Sequence, residues 1–201
     1  MASQLTDSIG LEFTKSIQLL QDMSEDVALR EQIREAVKMS VDALGRGNKI
    51  LFAGNGGSAA DAQHWAGELV SRFNFDRPGL AGIALTTDTS ILTAIGNDYG
   101  YEYAFARQVE ALGREGDVLY VLSTSGNSKN ILRAITAART AGILVVGFTG
   151  QSGGQMGDQC DICFKMPSSE TPKVQEGHEF LGHLLCGMIE EEIFGKSHGG
   201  R

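Results

Sequence analysis

The sequence predicts a doubly wound α/β domain on a parallel sheet, with two extra helices at its N-terminus. Short apolar runs recur through the chain, at 49–53, 82–86, 118–122, 144–148 and 162–166. They are nearly continuous rather than alternating, which indicates strands covered on both faces, as in a parallel sheet. Helix-like stretches separate them, the β/α alternation of a doubly wound fold.

Taken in order, residues 5–22 and 25–45 read as amphipathic helices. In the second, Val27, Leu29, Ile33, Val37, Val41 and Leu44 recur at helical spacing. Ser24 precedes it as a candidate cap, and Gly45 and Gly47 stop it. The strand Lys49–Ala53 follows, then a helix at 58–72 and the strand Gly82–Thr86. Helical stretches at 88–97 and 101–112 lead to Val118–Leu122, a helix at 128–141 and the strand Leu144–Phe148. A short turn at 154–159 precedes Ile162–Met166, and 172–194 reads as a long closing helix. The tail from Ser197 to Arg201 is expected to fray.

A length of 201 residues suits one domain. The formal charge of −8 argues against a nucleic-acid partner, since no broad basic footprint can form. No apolar run approaches the roughly 18–20 residues of a membrane helix, so no membrane partner is expected. The first ten residues lack the basic and apolar regions of a signal peptide, which predicts a cytoplasmic protein. Three cysteines make no disulfide framework. Cys160 and Cys163 form a C-x-x-C, but it runs into a strand rather than opening a helix, and only Cys186 remains as a further thiol. Both are read as buried free cysteines.

Ligands of open α/β sheets bind beyond the carboxyl ends of the strands. Two loops there stand out. The first is Gly54-Asn55-Gly56-Gly57-Ser58. Gly54, Gly56 and Ala59 match the spacing of a dinucleotide fingerprint, but the expected acid should end the second strand, and Asp76 lies before that strand begins. No nucleotide cofactor is therefore expected. A tight turn accounts for the glycines and leaves Asn55 unexplained. The second loop is Ser123-Thr124-Ser125-Gly126-Asn127-Ser128, which opens a helix. Its hydroxyls and the unpaired N–H groups of a helix start suit an anion. No Walker lysine pattern accompanies them, so a small phosphomonoester fits better than a nucleoside triphosphate.

Asp61, His64 and Glu68 share one face of the helix after the first loop. Gln175 and His183 lie on the closing helix, about 80° apart, with Glu179 between them. Two imidazoles, a carboxylate and an amide oxygen suit zinc or a similar divalent ion. Surface polar pairs at this spacing are common, and the same Glu68 and His183 suit general acid–base work without a metal. His178 and His198 read as hydrogen-bonded or solvated histidines, and Asn97-Asp98 as a turn.

Together, Ala53-Gly-Asn-Gly-Gly-Ser58, Asp61-Ala-Gln-His64, Ser71-Arg72-Phe73, Leu85-Thr-Thr-Asp88, Ile95-Gly-Asn-Asp98, Ser123-Thr-Ser-Gly-Asn-Ser128 and Gln175-Glu-Gly-His178 resemble the bacterial sedoheptulose 7-phosphate (phosphoheptose) isomerases of the SIS, or sugar isomerase, family. The resemblance runs from the N-terminal helices to about Gly195. It implies a flavodoxin-like, three-layer SIS sandwich with a central five-stranded parallel sheet. It implies one SIS domain over 1–201, with a helical hairpin at 1–47 used in oligomerisation, an α/β core at 48–195 and a tail at 196–201. It further implies a homotetramer with active sites between subunits.

The implied reaction interconverts sedoheptulose 7-phosphate and D-glycero-D-manno-heptose 7-phosphate, the first step of bacterial ADP- and GDP-heptose synthesis. By the resemblance, the phosphate falls on Ser123, Thr124, Ser125 and Ser128, and the sugar on Asn55, Gly56, Gly57, Asn97, Asp98 and Gln175. The acid–base pair falls on Glu68 and His183. Zinc, one ion per subunit, falls on His64, Glu68, Gln175 and His183. One departure stands out: some members carry an Asp–Arg pair where this chain has Pro172-Lys173. Two alternatives stay open, an isomerase of another phosphosugar and a non-catalytic SIS protein that binds the replication initiator. The latter relatives lack partners equivalent to Glu68 and His183.

Overall fold

The computed structural model describes residues 2–195; the expected frayed tail lies outside them. The strands are β1 (Ile50–Ala53), β2 (Gly82–Ala84), β3 (Val118–Leu122), β4 (Leu144–Thr149) and β5 (Ile162–Lys165). All pair in parallel, in the order β2-β1-β3-β4-β5. The helices are α1 (Ala2–Glu25), α2 (Val27–Gly45), α3 (Gly57–Val70), α4 (Thr89–Asp98), α5 (Ala106–Leu112), α6 (Lys129–Thr140) and α7 (Thr171–Phe194).

The continuous apolar strands are explained by two covering layers. Ile50, Phe52, Val118, Tyr120, Leu122, Val146 and Phe148 pack with residues of α1, α2, α3 and α7. Leu51, Ala53, Leu119, Val121 and Val145 alternate to the other face, against Phe105, Val109, Ile131, Ala134 and Ile135 of the α5–α6 side. Each large side chain removed from water this way contributes about 1.5–3 kcal/mol. β2, an edge strand paired on one side, has no fully buried residue, whereas β4 and β5 are exposed only at Leu144 and Lys165.

Three local readings change. Asp26, not Ser24, caps α2, accepting a hydrogen bond from Leu29 N at 3.1 Å. Ser24 instead donates to Gln21 O. The stretch expected as two helices at 88–97 and 101–112 is α4, a short 3₁₀ turn at Tyr101–Tyr103 and α5, with the break at Gly100 (φ 93°). Asn97 and Asp98 therefore end α4 rather than forming a separate turn.

From β1 the chain crosses to β2 on one side, while β3 pairs with β1 on the other. The switch point of the sheet thus lies between β1 and β3, and the loops 54–56 and 123–128 both leave the sheet there.

Candidate active site

Glycines let the first loop fold tightly over β1. A Cβ on Gly54 would lie 2.3 Å from Ser58 O, and Gly56 sits at φ 58° as it opens α3. A Cβ on Gly57 would lie 2.6 Å from Gln175 Nε2. The amide of Gln175, from α7, therefore lies directly over the loop, which brings two of the expected sugar-binding residues together.

The hydroxyl loop opens α6. Ser123 is buried, and its Oγ lies 3.0 Å from Ser128 Oγ. Ser125 Oγ accepts from Asn127 N at 3.2 Å, and Gly126 turns the chain at φ 66°. Asn127 Oδ1 accepts from Gln155 N, anchoring the loop to the segment after β4. No side chain caps the start of α6, so the positive end of that helix faces the loop with its first N–H groups available to an anion. Ser125 is exposed and Thr124 half-exposed.

The titratable cluster lies where α3 meets α7. His64 Nε2 and His183 Nε2 are 2.8 Å apart. Glu179 Oε1 lies 3.3 Å from the first and 3.2 Å from the second. Glu68 Oε1 is 3.4 Å from His64 Nε2. Glu179 is fixed from its other oxygen, which accepts from the indole N–H of buried Trp65 at 3.0 Å. Asp61, one turn before His64, has a buried Oδ2 with no partner. Burial, then the charge of Glu179, push its carboxyl up to about 6, with His64 opposing.

The closeness of the two helices is a packing result. A Cβ on Gly182 would lie 1.9 Å from Trp65 Cε2, so only glycine lets the indole lie against α7 there. The residues next to this contact are thereby brought into range: His64 precedes Trp65, and His183 follows Gly182. Behind them, the Glu190 carboxylate of α7 accepts from Phe73 N (2.8 Å), Asn74 N (2.6 Å) and Arg77 Nε (2.9 Å). Arg77 in turn donates to Glu68 O and Leu69 O, satisfying the last carbonyls of α3.

The donor set suits a small divalent ion. Tetrahedral ligands on bonds of about 2.0–2.1 Å stand about 3.3 Å apart, close to the separations among His64, Glu179 and His183. These three offer ligand atoms that all lie within 4.8 Å of one another. Glu179 therefore joins the candidates that spacing alone selected, while Glu68 contacts only the His64 side of the group.

Other expected residues sit differently. Asn97 and Asp98 are exposed and hydrogen-bonded to each other at 2.8 Å. Asn55 is engaged by Asn130 and Tyr101. His178 is fully buried beside Thr149 O, and burial lowers its pKa to about 4, as expected of a neutral structural histidine. Lys173 directs its ammonium to Glu176, Ser16 and Glu12, tying α7 to α1. Sequence reasoning had not singled out Arg77, Asn130, Tyr101 or Glu190. The signal available for Glu190 was a carboxylate among apolar neighbours on the inward stripe of the closing helix.

Residues 12–150 match the model of the SIS domain family. The chain is 59% identical over 174 residues to the phosphoheptose isomerase of Burkholderia pseudomallei (strain K96243), covering 87% of this chain and 88% of that protein. It is 53% identical over 190 residues to the phosphoheptose isomerase of Aneurinibacillus thermoaerophilus, covering 94% and 96%. The structure of phosphoheptose isomerase from Neisseria gonorrhoeae superposes with a TM-score of 0.87 at 42% identity, over 93% of this chain and 99% of that one. A carboxylate–imidazole cluster beside a glycine loop and a hydroxyl loop, on this sheet and with these relatives, places the chain in the SIS domain family, among the phosphoheptose isomerases.

Proposed function

We propose that the chain interconverts D-sedoheptulose 7-phosphate and D-glycero-D-manno-heptose 7-phosphate through a cis-enediol, at the head of bacterial ADP- or GDP-heptose synthesis. The observation that carries this is the meeting of Glu68, His64, Glu179 and His183 beside the β1 loop, with an uncapped hydroxyl loop one strand away. A phosphate held by Ser123, Thr124, Ser125, Ser128 and the start of α6 leaves the sugar to extend over Asn55, Gly56, Gly57 and Gln175. Asn97 and Asp98 would meet it from α4.

Glu68 is the proposed base. It removes a proton from C1 of the ketose while the C2 carbonyl oxygen gains one, giving the enediol. Return of a proton to C2 and loss of the O1 proton complete the aldose, so C1 is oxidised as C2 is reduced. His183 serves the oxygens as the partner acid. The 2.8 Å contact between the two Nε2 atoms demands a bare lone pair on at least one ring, so both cannot be protonated there. His64, Glu68, Gln175 and His183, with Glu179 as a further donor, would hold one zinc or similar ion per subunit. When bound, such an ion supplies Lewis-acid polarisation of sugar oxygens.

A homotetramer with sites between subunits is proposed on two grounds. His64 and His183 side chains remain 45% and 42% exposed in one chain, more open than enediol chemistry tolerates. Ile9, Phe13, Ile17 and Leu20 also form an exposed apolar stripe on α1, between 41% and 68% accessible. Among the described residues no helix is long and apolar enough to cross a membrane; we place the protein in the cytoplasm, where a phosphorylated sugar substrate would be met. The test is incubation with sedoheptulose 7-phosphate, with aldose formation followed by NMR, with and without chelator. Wild-type protein that makes no aldose in either condition overturns the proposal.

A further inference from the structure

The side chain of Asn55 is clamped by groups to which the reaction as derived gives no part. Asn55 Nδ2 donates to Asn130 Oδ1 at 3.0 Å, and Asn130 Nδ2 donates back to Asn55 Oδ1 at 2.8 Å. The Tyr101 hydroxyl donates to the same Asn55 Oδ1 at 3.0 Å. Asn130 is only 4% exposed and is the second residue of α6, immediately behind the hydroxyl loop. Asn55 belongs to the glycine loop on the neighbouring strand. The reciprocal amide pair therefore bolts the two ligand loops together, side chain to side chain, across the switch point of the sheet.

Donor arithmetic gives the pair a consequence. A primary amide has two N–H donors and one oxygen with two lone pairs. Both lone pairs of Asn55 Oδ1 are occupied, and one N–H is used on Asn130. A single N–H remains, and the amide cannot turn over by itself without setting N–H against N–H and oxygen against oxygen in the Asn130 pair. A free asparagine would present donor or acceptor with equal ease, and would spend ordering entropy on every substrate bound.

We propose that Asn130 is a positioning residue for the isomerase, acting through Asn55: it holds the Asn55 amide so that its one unused N–H serves a sugar oxygen, and it fixes the spacing between the sugar loop and the phosphate loop. Tyr101 supports the same orientation from the 3₁₀ turn. This rests on the isomerase reading above. It assigns Asn55 the part of hydrogen-bond donor to the substrate, and it makes the start of α6 serve both ends of the sugar phosphate.

The test is a double-variant cycle with Asn55→Ala and Asn130→Ala, read by aldose formation and by calorimetric binding of sedoheptulose 7-phosphate and of inorganic phosphate alone. Asn130→Ala is expected to lower kcat/KM on the order of tenfold in the wild-type background and less than about twofold when Asn55 is already alanine. Inorganic phosphate should bind both forms alike, because the hydroxyl loop is untouched. Tyr101→Phe, which removes one hydroxyl from an exposed side chain, should give a smaller loss in the same direction and keeps the question open to experiment should Asn130→Ala fold poorly. An equal loss in both backgrounds, a parallel loss of phosphate binding, or unchanged kcat/KM in Asn130→Ala and Tyr101→Phe would overturn the proposal. Wild-type protein that binds the sugar phosphate without turnover overturns the isomerase reading alone, since the cycle then decides the loop coupling from binding. Wild-type protein that neither binds nor turns it over removes both.

Discussion

Gly182→Ala tests whether the packing of α3 on α7 is what assembles the site. The added methyl carbon would stand 1.9, 2.1 and 2.4 Å from Cε2, Nε1 and Cζ2 of Trp65. Ordinary carbon contacts begin near ~3.5 Å, so the helices must part by about 1.5 Å or the indole must move. The indole has little room: Trp65 is fully buried, with the rings of Phe148 and Phe52 at 4.9 and 6.4 Å. Its N–H also holds Glu179. Overpacking of this kind costs about 1–3 kcal/mol, which for a chain of this size lowers Tm by about 2–12 °C. The catalytic cost should be larger than that suggests. His64 and His183 adjoin the colliding pair, and misplacement by about 1 Å can cost on the order of 10²-fold in rate. A thermal melt and a kcat/KM measurement on the purified variant, with inorganic phosphate binding as control, decide the matter. Phosphate binding should persist, because the Ser123–Ser128 loop hangs from β3. A variant with lowered Tm but normal kcat/KM would refute the link between this contact and the site.

Glu68→Gln keeps size and hydrogen bonding but removes basicity, and kcat should fall about 10²–10⁴-fold with the melt unchanged; near-normal turnover would remove Glu68 as base. Ser125→Ala should raise KM by the equivalent of about 1.5–3 kcal/mol, and unchanged KM in Ser123→Ala, Ser125→Ala and Ser128→Ala alike would move the phosphate elsewhere. Glu190→Gln should destabilise by about 3–5 kcal/mol near neutral pH, since it leaves Arg77 buried without its counter-charge. Burial alone would raise the Glu190 pKa, but the N–H donations from Phe73 and Asn74 and the Arg77 guanidinium bring it below the usual range, so its stabilisation should vanish as pH falls and the variant's deficit should shrink in acid. Asp61 behaves oppositely: its carboxyl, raised from 3.8 to about 6, contributes fully below the lower value and loses that contribution as pH rises to the higher one, so chelator-treated Asp61→Asn should gain in Tm over wild type from about pH 4 to 6 and keep the gain above it, and a pH-independent difference would refute this.

The sheet was legible because its strands are apolar on both faces, and the two covering layers account for that pattern residue by residue. The β2 edge was legible in position but not in burial, since exposure depends on what packs alongside. The loops were legible because glycine and serine at strand ends are costly unless a turn or a ligand needs them. Spacing along α3 and α7 also brought out His64, Glu68 and His183. It could not rank Glu179, because rank there depends on the indole N–H of a residue 114 positions away in sequence. Asn130 was hidden for the same reason: nothing within α6 distinguishes a second-position asparagine that caps from one that reaches back to residue 55. Arg77 and Glu190 were hidden because charge in a sequence reads as surface until a structure shows both side chains at zero exposure.

These long-range contacts share a direction. Trp65 to Gly182 and Trp65 to Glu179 join α3 to α7, Arg77 ties the segment after α3 to Glu190 of α7, and Asn55 to Asn130 joins β1's loop to α6. The groups with chemistry to perform lie at the ends of these ties rather than within them. That arrangement separates two demands on one small domain. The ties are buried or half-buried and hydrogen-bonded, so they hold position at low entropy cost. The side chains of the proposed site stay open, with His64 and His183 more than two-fifths exposed. Open imidazoles and carboxylates in bulk water are poor at stabilising an enediol, because water screens them and reorganises with each charge shift. On the proposed reaction, a wall would therefore have to close over them when the substrate is bound. In the proposed tetramer the exposed α1 stripe would supply the means, since α1 packs on α7 through the Lys173 ion pairs while its outer face is left apolar and uncovered. A second copy seated on that stripe would bury it and stand beside the helix that carries His183, which is why assembly and catalysis should fail together in variants that place charge at Phe13 or Ile17.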